Sequence, residues 1–261
     1  MLIVRPLLRL TRIDSSLLGF LAIFLPVSVR SNDLAFSLGQ AIPLLLICVC
    51  TFIANDLDDV ERDQVNHPDR PLPAHQLSTT IAVILYFTFL GFALFSTRHF
   101  IGPRIAFWYY ALVALSISYG YIVDWLPSVK APYVGITSSI PVLIVIAFYP
   151  EETRLYLVAG SVFLLTLGRE LCMNIKDRAG DAISFVNTFT PKQLAIAAFS
   201  FQAMGLFLLA IQIRNLGGVT DLLSMTLLLV ISAVCWFKLT RYRVAIILMK
   251  LEFFVGLYFL I

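Results

Sequence analysis

The chain has 261 residues, 59% of them hydrophobic and only 13% charged, with a mean hydropathy of +0.89 and a formal net charge of +3. So few charges cannot cover the surface of a soluble domain of this length, which excludes that class and leaves lipid as the solvent. A small, scattered positive charge excludes a nucleic-acid binder as well.

The N-terminal run MLIVRPLLRLTR has arginines breaking every apolar stretch and no small-residue cleavage site, so it does not read as a removable signal peptide. Apolar stretches then follow at residues 16–29, 34–54, 79–95, 105–122, 132–148, 155–167, 195–211, 222–237 and 244–261. A span needs about 20 residues, so the shorter stretches are expected to extend into their polar flanks or to tilt little. Lipid leaves no water for free backbone groups, and the period-2 alternation of a membrane barrel is absent, so each stretch is expected to be a helix. The expected fold is an all-α, polytopic membrane helical bundle of about nine transmembrane helices around a central cavity, in one domain over residues 1–261.

With nine spans, the N-terminus shares a side with the loops after spans 2, 4, 6 and 8. That side collects Arg5, Arg9, Arg12, Arg62, Arg70, Lys130, Arg169, Lys176, Arg178, Lys192, Lys238, Arg241 and Arg243. The other side has only Arg30, Arg98, Arg104, Arg154 and Arg214, and Lys250 falls within the last span. This bias predicts that the N-terminus and the even-numbered loops face the cytoplasm. Cys48, Cys50, Cys172 and Cys235 lie in or beside apolar stretches and read as small buried hydrophobes, not as a zinc site.

The acidic residues are concentrated. Asp56, Asp58, Asp59, Glu61 and Asp63 follow the second span, and Asp177 and Asp181 follow the sixth, all on the predicted cytoplasmic side. Asp59/Asp63 and Asp177/Asp181 are both i, i+4 pairs, so each pair is expected on one helix face, with Asp56 and Asp58 flanking it. The offset between the pairs is 118 residues in both cases (59 to 177, 63 to 181). Two such pairs facing one cavity would form a hard oxygen cage suited to Mg²⁺ and substrate phosphates. Solvated loop carboxylates are the plainer alternative. The spacing of an EF-hand is missing.

The flanking residues sharpen the reading. Asn55-Asp56-Leu57-Asp58-Asp59-Val60-Glu61-Arg62-Asp63 resembles the NDxxDxxxD signature of the UbiA superfamily of intramembrane prenyltransferases. The following Asn66-His67-Pro68-Asp69-Arg70-Pro71-Leu72-Pro73 is similar to that superfamily's N-x-P-x-R-P-x-P. Arg169-Glu170 through Asn174-Ile175-Lys176-Asp177-Arg178-Ala179-Gly180-Asp181 resembles its second motif, with Asn174 where Asp usually stands. The segment around Lys130, at the start of span 5, is a looser likeness.

The resemblance implies a chemistry. Mg²⁺ would be held by Asn55, Asp59, Asp63, Asn174, Asp177 and Asp181, with the four aspartates as the catalytic carboxylates. Arg70, Lys130, Lys176 and Arg178 would bind the substrate diphosphate. The partners implied are a prenyl diphosphate, an acceptor that is often aromatic in this superfamily, and the bilayer itself. A membrane-integral terpene cyclase, which traps the cation with the substrate's own double bonds, is the first alternative. A transporter or ion-binding membrane protein is a more remote one, since its ionisable groups would sit nearer the midplane. Arg12 reads first as a positive-inside anchor, His67 and His75 as solvated loop residues, and Lys250 and Glu252 as polar residues within a span with no assigned role.

Overall fold

The computed structural model describes residues 4–178, 188–216 and 247. Their helices are α1 (Val4–Leu10), α2 (Ile13–Ser31), α3 (Leu34–Asp58), α4 (Val60–Asn66), α5 (Thr79–Phe100), α6 (Pro103–Trp125), α7 (Lys130–Phe148), α8 (Arg154–Lys176) and α9 (Pro191–Leu216). A 3-10 turn, Pro127–Val129, leads into α7. Seven of these helices are long and apolar enough to cross a membrane.

Those seven coincide with the first seven apolar stretches, and each runs past them at one end or both. The stretch at 155–167, too short on its own, becomes the 23-residue α8 by taking in Arg169, Glu170, Asn174 and Lys176. The polar residues that extend a span are thus those of the second motif. The stretches at 222–237 and 244–261, with Cys235, Lys250 and Glu252, lie outside the described residues. The short helices α1 and α4 have no long apolar run to announce them.

Helix starts follow local chemistry. The Asp33 carboxylate accepts the Phe36 N–H at 2.9 Å to cap α3, and the Ser78 hydroxyl accepts the Ile81 N–H at 3.2 Å to cap α5. Thr190 and Gln193 form a reciprocal capping box at α9: Thr190 Oγ1 accepts the Gln193 N–H, and Gln193 Oε1 accepts the Thr190 N–H.

The chain divides into two compact units, residues 1–124 and 125–261. In the first, α3 packs against α2 and α5. Polar groups between helices are paired: Tyr109 OH donates to the Gln40 carbonyl at 2.6 Å, and Thr51 Oγ1 donates to Ser116 Oγ at 2.7 Å. Phe87, Phe92, Phe95 and Phe107 are exposed on α5 and α6. Bilayer tails accept these rings where water would not. In the second unit, α8 packs against α7 and α9. Ser161 Oγ donates to the Gly205 carbonyl at 2.8 Å. The close approach depends on that glycine: a Cβ there would stand 2.9 Å from Leu165 Cγ and 3.2 Å from the Ser161 carbonyl.

Gly205→Ala is therefore expected to destabilise the protein by about 1–3 kcal/mol through overpacking. Gly91→Ala on α5, where a Cβ meets nothing within 4 Å, is expected to be neutral or stabilising. Thermal unfolding of the two variants in one detergent checks both. Equal effects would remove the packing argument.

Candidate active site

The first motif does not form one straight helix. The Asp59 N–H donates to the Asn55 carbonyl at 3.0 Å and ends α3, with Asp59 at φ −94° and ψ 3°. The chain turns helical again at Val60, and the Asp63 N–H returns to the Asp59 carbonyl at 2.8 Å. Asp59 and Asp63 remain one hydrogen-bonded turn apart but share no uninterrupted helix face, as the i, i+4 spacing had led us to expect. The physical reason lies in the charges. Five acids within eight residues would repel along one cylinder, and with the break three of them, Asp56, Asp59 and Asp63, pair with cations.

Those cations are arginines. Asp59 pairs with Arg62, and Asp63 accepts a short hydrogen bond from Arg70. Asp56, only 2% exposed, pairs with Arg12, and Arg70 Nη1 lies 3.5 Å from the same carboxylate oxygen. Arg70 thus bridges Asp56 and Asp63. Arg12 sits in the left-handed region at φ 41° and ψ 54°, between α1 and α2, with its guanidinium 5.1 Å from the Phe52 ring centroid. The strained backbone is held by the ion pair and the cation–π contact. Burial pushes the Asp63 carboxyl above its usual range, and the Arg70 guanidinium offsets only part of that rise.

The proline-rich tail holds Arg70 in place. The Arg70 N–H donates to the His67 carbonyl at 3.0 Å, and the Ala74 N–H donates to the Arg70 carbonyl at 2.9 Å. Leu72 and Leu77 anchor this loop in an apolar cluster with Leu10, Val49 and Ile53. His75 takes φ 54° within it and adds no contact to the carboxylates.

In the second unit, Asp177 ends α8 as Asp59 ends α3. Its N–H donates to the Met173 carbonyl at 2.8 Å, with φ −94° and ψ 9°. Lys176 Nζ lies 3.3 Å from Asp177 Oδ1, and Arg169 Nη2 donates to Glu170 at 2.8 Å. Asn174 is buried, and among the described residues its Nδ2 has no hydrogen-bond partner; Thr166 Oγ1 and Arg169 Nε, on the preceding turns of α8, also lack one there. Each of these atoms has capacity for a further hydrogen bond. Asn174 lines a cavity of about 390 Å³ with Ser128, Lys130, Leu167, Leu171 and Phe201. Lys130 and Asn174 are thereby brought together. Arg178 follows Asp177 directly, and Asp181 lies outside the described residues.

Asp56 and Arg12 are the residues that sequence reasoning underrated. The signal was present for Asp56. The 118-residue offset that relates Asp59 to Asp177 also carries Asp56 onto Asn174, three residues before each helix end. Nothing in the local sequence separates Arg12 from an ordinary anchor, because its contact with Asp56 spans 44 positions.

The UbiA prenyltransferase family model matches residues 16–254. The chain belongs to this family. It is similar to a digeranylgeranylglyceryl phosphate synthase from Saccharolobus solfataricus, 30% identical over 191 residues, covering 70% of this chain and 65% of that protein. One from Metallosphaera sedula is 28% identical over 205 residues, covering 71% and 67%. The chain thus spans about two thirds of these relatives' lengths. Among solved structures, that of a digeranylgeranylglyceryl phosphate synthase in membranes matches with a TM-score of 0.67 and 19% identity, covering 98% of this chain and 99% of that one. A UbiA homolog from Archaeoglobus fulgidus bound to DMAPP and Mg²⁺ matches with a TM-score of 0.59 and 16% identity, covering 97% and 98%. At these identities the two structures speak for the fold. With seven apolar helices among the described residues, this UbiA member is an integral, multi-pass membrane protein.

Whether this UbiA member's residues fit a divalent cation is a matter of donors. Among the described residues no three Asp, Glu, His or Cys side chains converge on one point, and the first-motif carboxylates are shared out among arginines. The donor type fits nonetheless. Asn55 Oδ1 is buried without a hydrogen-bond partner among the described residues, a hard oxygen one turn before Asp59.

Because burial raises its carboxyl, Asp63 binds a proton more readily folded than unfolded, so its ionisation costs stability as pH rises above the unfolded value. Asp63→Asn is therefore expected to keep or raise the melting temperature at pH 7 while lowering turnover by on the order of 10²-fold. A variant that melts earlier at pH 7 would assign Asp63 a structural role instead.

Proposed function

We propose that this chain is a Mg²⁺-dependent prenyltransferase that moves a prenyl group from an allylic prenyl diphosphate to an acceptor within the membrane. The observation that carries the reading is the Asn55 side-chain oxygen, buried and without a partner among the described residues, one helical turn before Asp59, with Arg12 and Arg70 paired to Asp56 and Asp63 of the same motif. Hard oxygen donors and guanidinium forks are the two kinds of group a metal–diphosphate head requires. The ligand set proposed is Asn55, Asp59 and Asp63 from the first motif and Asn174, Asp177 and Asp181 from the second. Lys130, Lys176 and Arg178 supplement Arg70 on the phosphates.

Bound Mg²⁺ would supply charge neutralisation at the diphosphate. The arginines do the same through hydrogen bonds: as the allylic C–O bond breaks, its electron pair leaves with the diphosphate, and their N–H groups meet the growing charge. The acceptor then forms a bond to the allylic carbon and gives up its proton. Apolar walls such as Leu167, Leu171 and Phe201 suit an isoprenoid tail and keep water from the cation. The relatives are named as digeranylgeranylglyceryl phosphate synthases, so the acceptor class we favour is a glyceryl phosphate lipid, ahead of an aromatic one. The excess of basic residues supports a cytoplasmic face for both motifs.

A second reading is favoured by one observation. The uncharged Asn174 amide, its Nδ2 without a partner among the described residues, in a mainly apolar cavity also suits a terpene cyclase, in which no acceptor is needed.

Protein in nanodiscs, given geranylgeranyl diphosphate with a panel of glyceryl phosphate and phenolic acceptors, is expected to form a prenylated product with Mg²⁺ and none in EDTA. Asp59→Ala and Asp177→Ala should each lower kcat by about 10²-fold or more. Cyclic hydrocarbon released without any acceptor would select the cyclase. Full turnover in chelator would remove the mechanism.

The topology is checked separately. His67→Cys should be labelled by an impermeant thiol reagent in inverted vesicles and not in intact cells. The opposite pattern would overturn the assigned orientation.

A further inference from the structure

A second cavity, this one polar, lies in the first unit, beside α1. It has a volume of about 370 Å³ and is lined by four arginines, Arg5, Arg9, Arg12 and Arg70, against three carboxylates, Asp14, Asp56 and Asp69, with His67, Leu8 and Pro71 completing the wall. Of the first motif only Asp56 reaches it; Asn55, Asp59 and Asp63 do not line it. The cavity therefore adjoins the metal donors without containing them.

Its four guanidiniums are not equally committed. Arg12 and Arg70 are held by the buried carboxylates of Asp56 and Asp63. Arg9 pairs with Asp69 at 2.7 Å, but that pair is open to solvent, with side chains 36% and 76% exposed. Exposed pairs of this kind contribute about 0–1 kcal/mol, so Arg9 can exchange partners at little cost. Arg5 forms no ion pair among the described residues. Arg5 and Arg9 are four residues apart on α1 and so share one face. Two guanidinium forks at that spacing suit a dianion, because a phosphomonoester can accept paired N–H groups from both. Val4 and Leu8, 59% and 48% exposed, put apolar surface on the same short helix, as a headgroup with a lipid tail requires.

We propose that this cavity binds the phosphomonoester headgroup of an amphiphilic acceptor, with Arg5 and Arg9 as its specificity-determining residues. The word acceptor rests on the prenyltransferase reading; the headgroup pocket does not.

The test uses the full chain in neutral-lipid nanodiscs. Phosphatidic acid, a lipid phosphomonoester, is expected to bind at least about tenfold more tightly than phosphatidylglycerol, a phosphodiester. Arg5→Gln with Arg9→Gln should abolish that preference, while geranylgeranyl diphosphate binding with Mg²⁺ stays within twofold. Arg5→Lys with Arg9→Lys, which keeps charge and fold but loses the forks, should fall between. Equal binding of the two lipids would reduce the site to general surface charge and overturn the proposal. So would an unchanged preference in the Gln variant, a parallel loss of diphosphate binding, or binding of inorganic phosphate as tight as that of phosphatidic acid. Where transfer is measurable, the Gln variant should raise the acceptor KM about tenfold and leave the donor KM unchanged. Arg5- and Arg9-dependent lipid binding in a protein that transfers to no acceptor would sink the prenyltransferase reading and leave the pocket standing.

Discussion

Asp56 is a charge inside a molecule whose solvent is lipid, and the arrangement of the first unit follows from how that charge is satisfied. Desolvating a carboxylate costs several kcal/mol unless cations and hydrogen bonds compensate. Here Arg12 and Arg70 converge on it from segments on either side in sequence. Arg12 fixes the junction of α1 and α2, at the expense of a left-handed backbone. Arg70 fixes the proline-rich loop and ties Asp56 to Asp63. One buried carboxylate thus positions the end of α3, the start of α2 and the loop that borders the α1 cavity.

The fold was largely legible in the sequence, because lipid imposes a coarse rule that composition obeys. Seven apolar runs became seven helices, and where a run fell short, as at 155–167, the missing turns came from motif residues. What was illegible was irregular backbone. Neither α1, with its two arginines four residues apart, nor the break at Asp59 leaves a mark in hydropathy. A spacing rule of i, i+4 assumes a continuous helix, and the local charge density breaks it.

The candidate site was legible in part for the same reason. Asp59 and Asp63 announced themselves by spacing, and Asn55 and Arg70 by the motif resemblance; the four residues lie at the end of α3, on α4 and in the loop after it. Arg12 came from 44 residues away, through a contact that only three dimensions reveal. Asn174 stood out as a departure, and its burial and an Nδ2 without a partner among the described residues give that departure a physical content.

The matched helix ends at Asp59 and Asp177 make the two units variations on one device, in which a helix stops at an aspartate and carries a polar side chain three residues earlier. In the first unit that side chain is charged and two arginines answer it. In the second it is an amide, and no cation among the described residues makes an ion pair with it or needs to. An amide is thus the form this position can take without a dedicated counter-ion. Related chains with aspartate at the position of Asn174 would need a cation there, as Arg12 stands near Asp56, and Lys130 on the same cavity wall is the basic residue placed to supply it. Charge at these two positions would evolve in pairs, not singly.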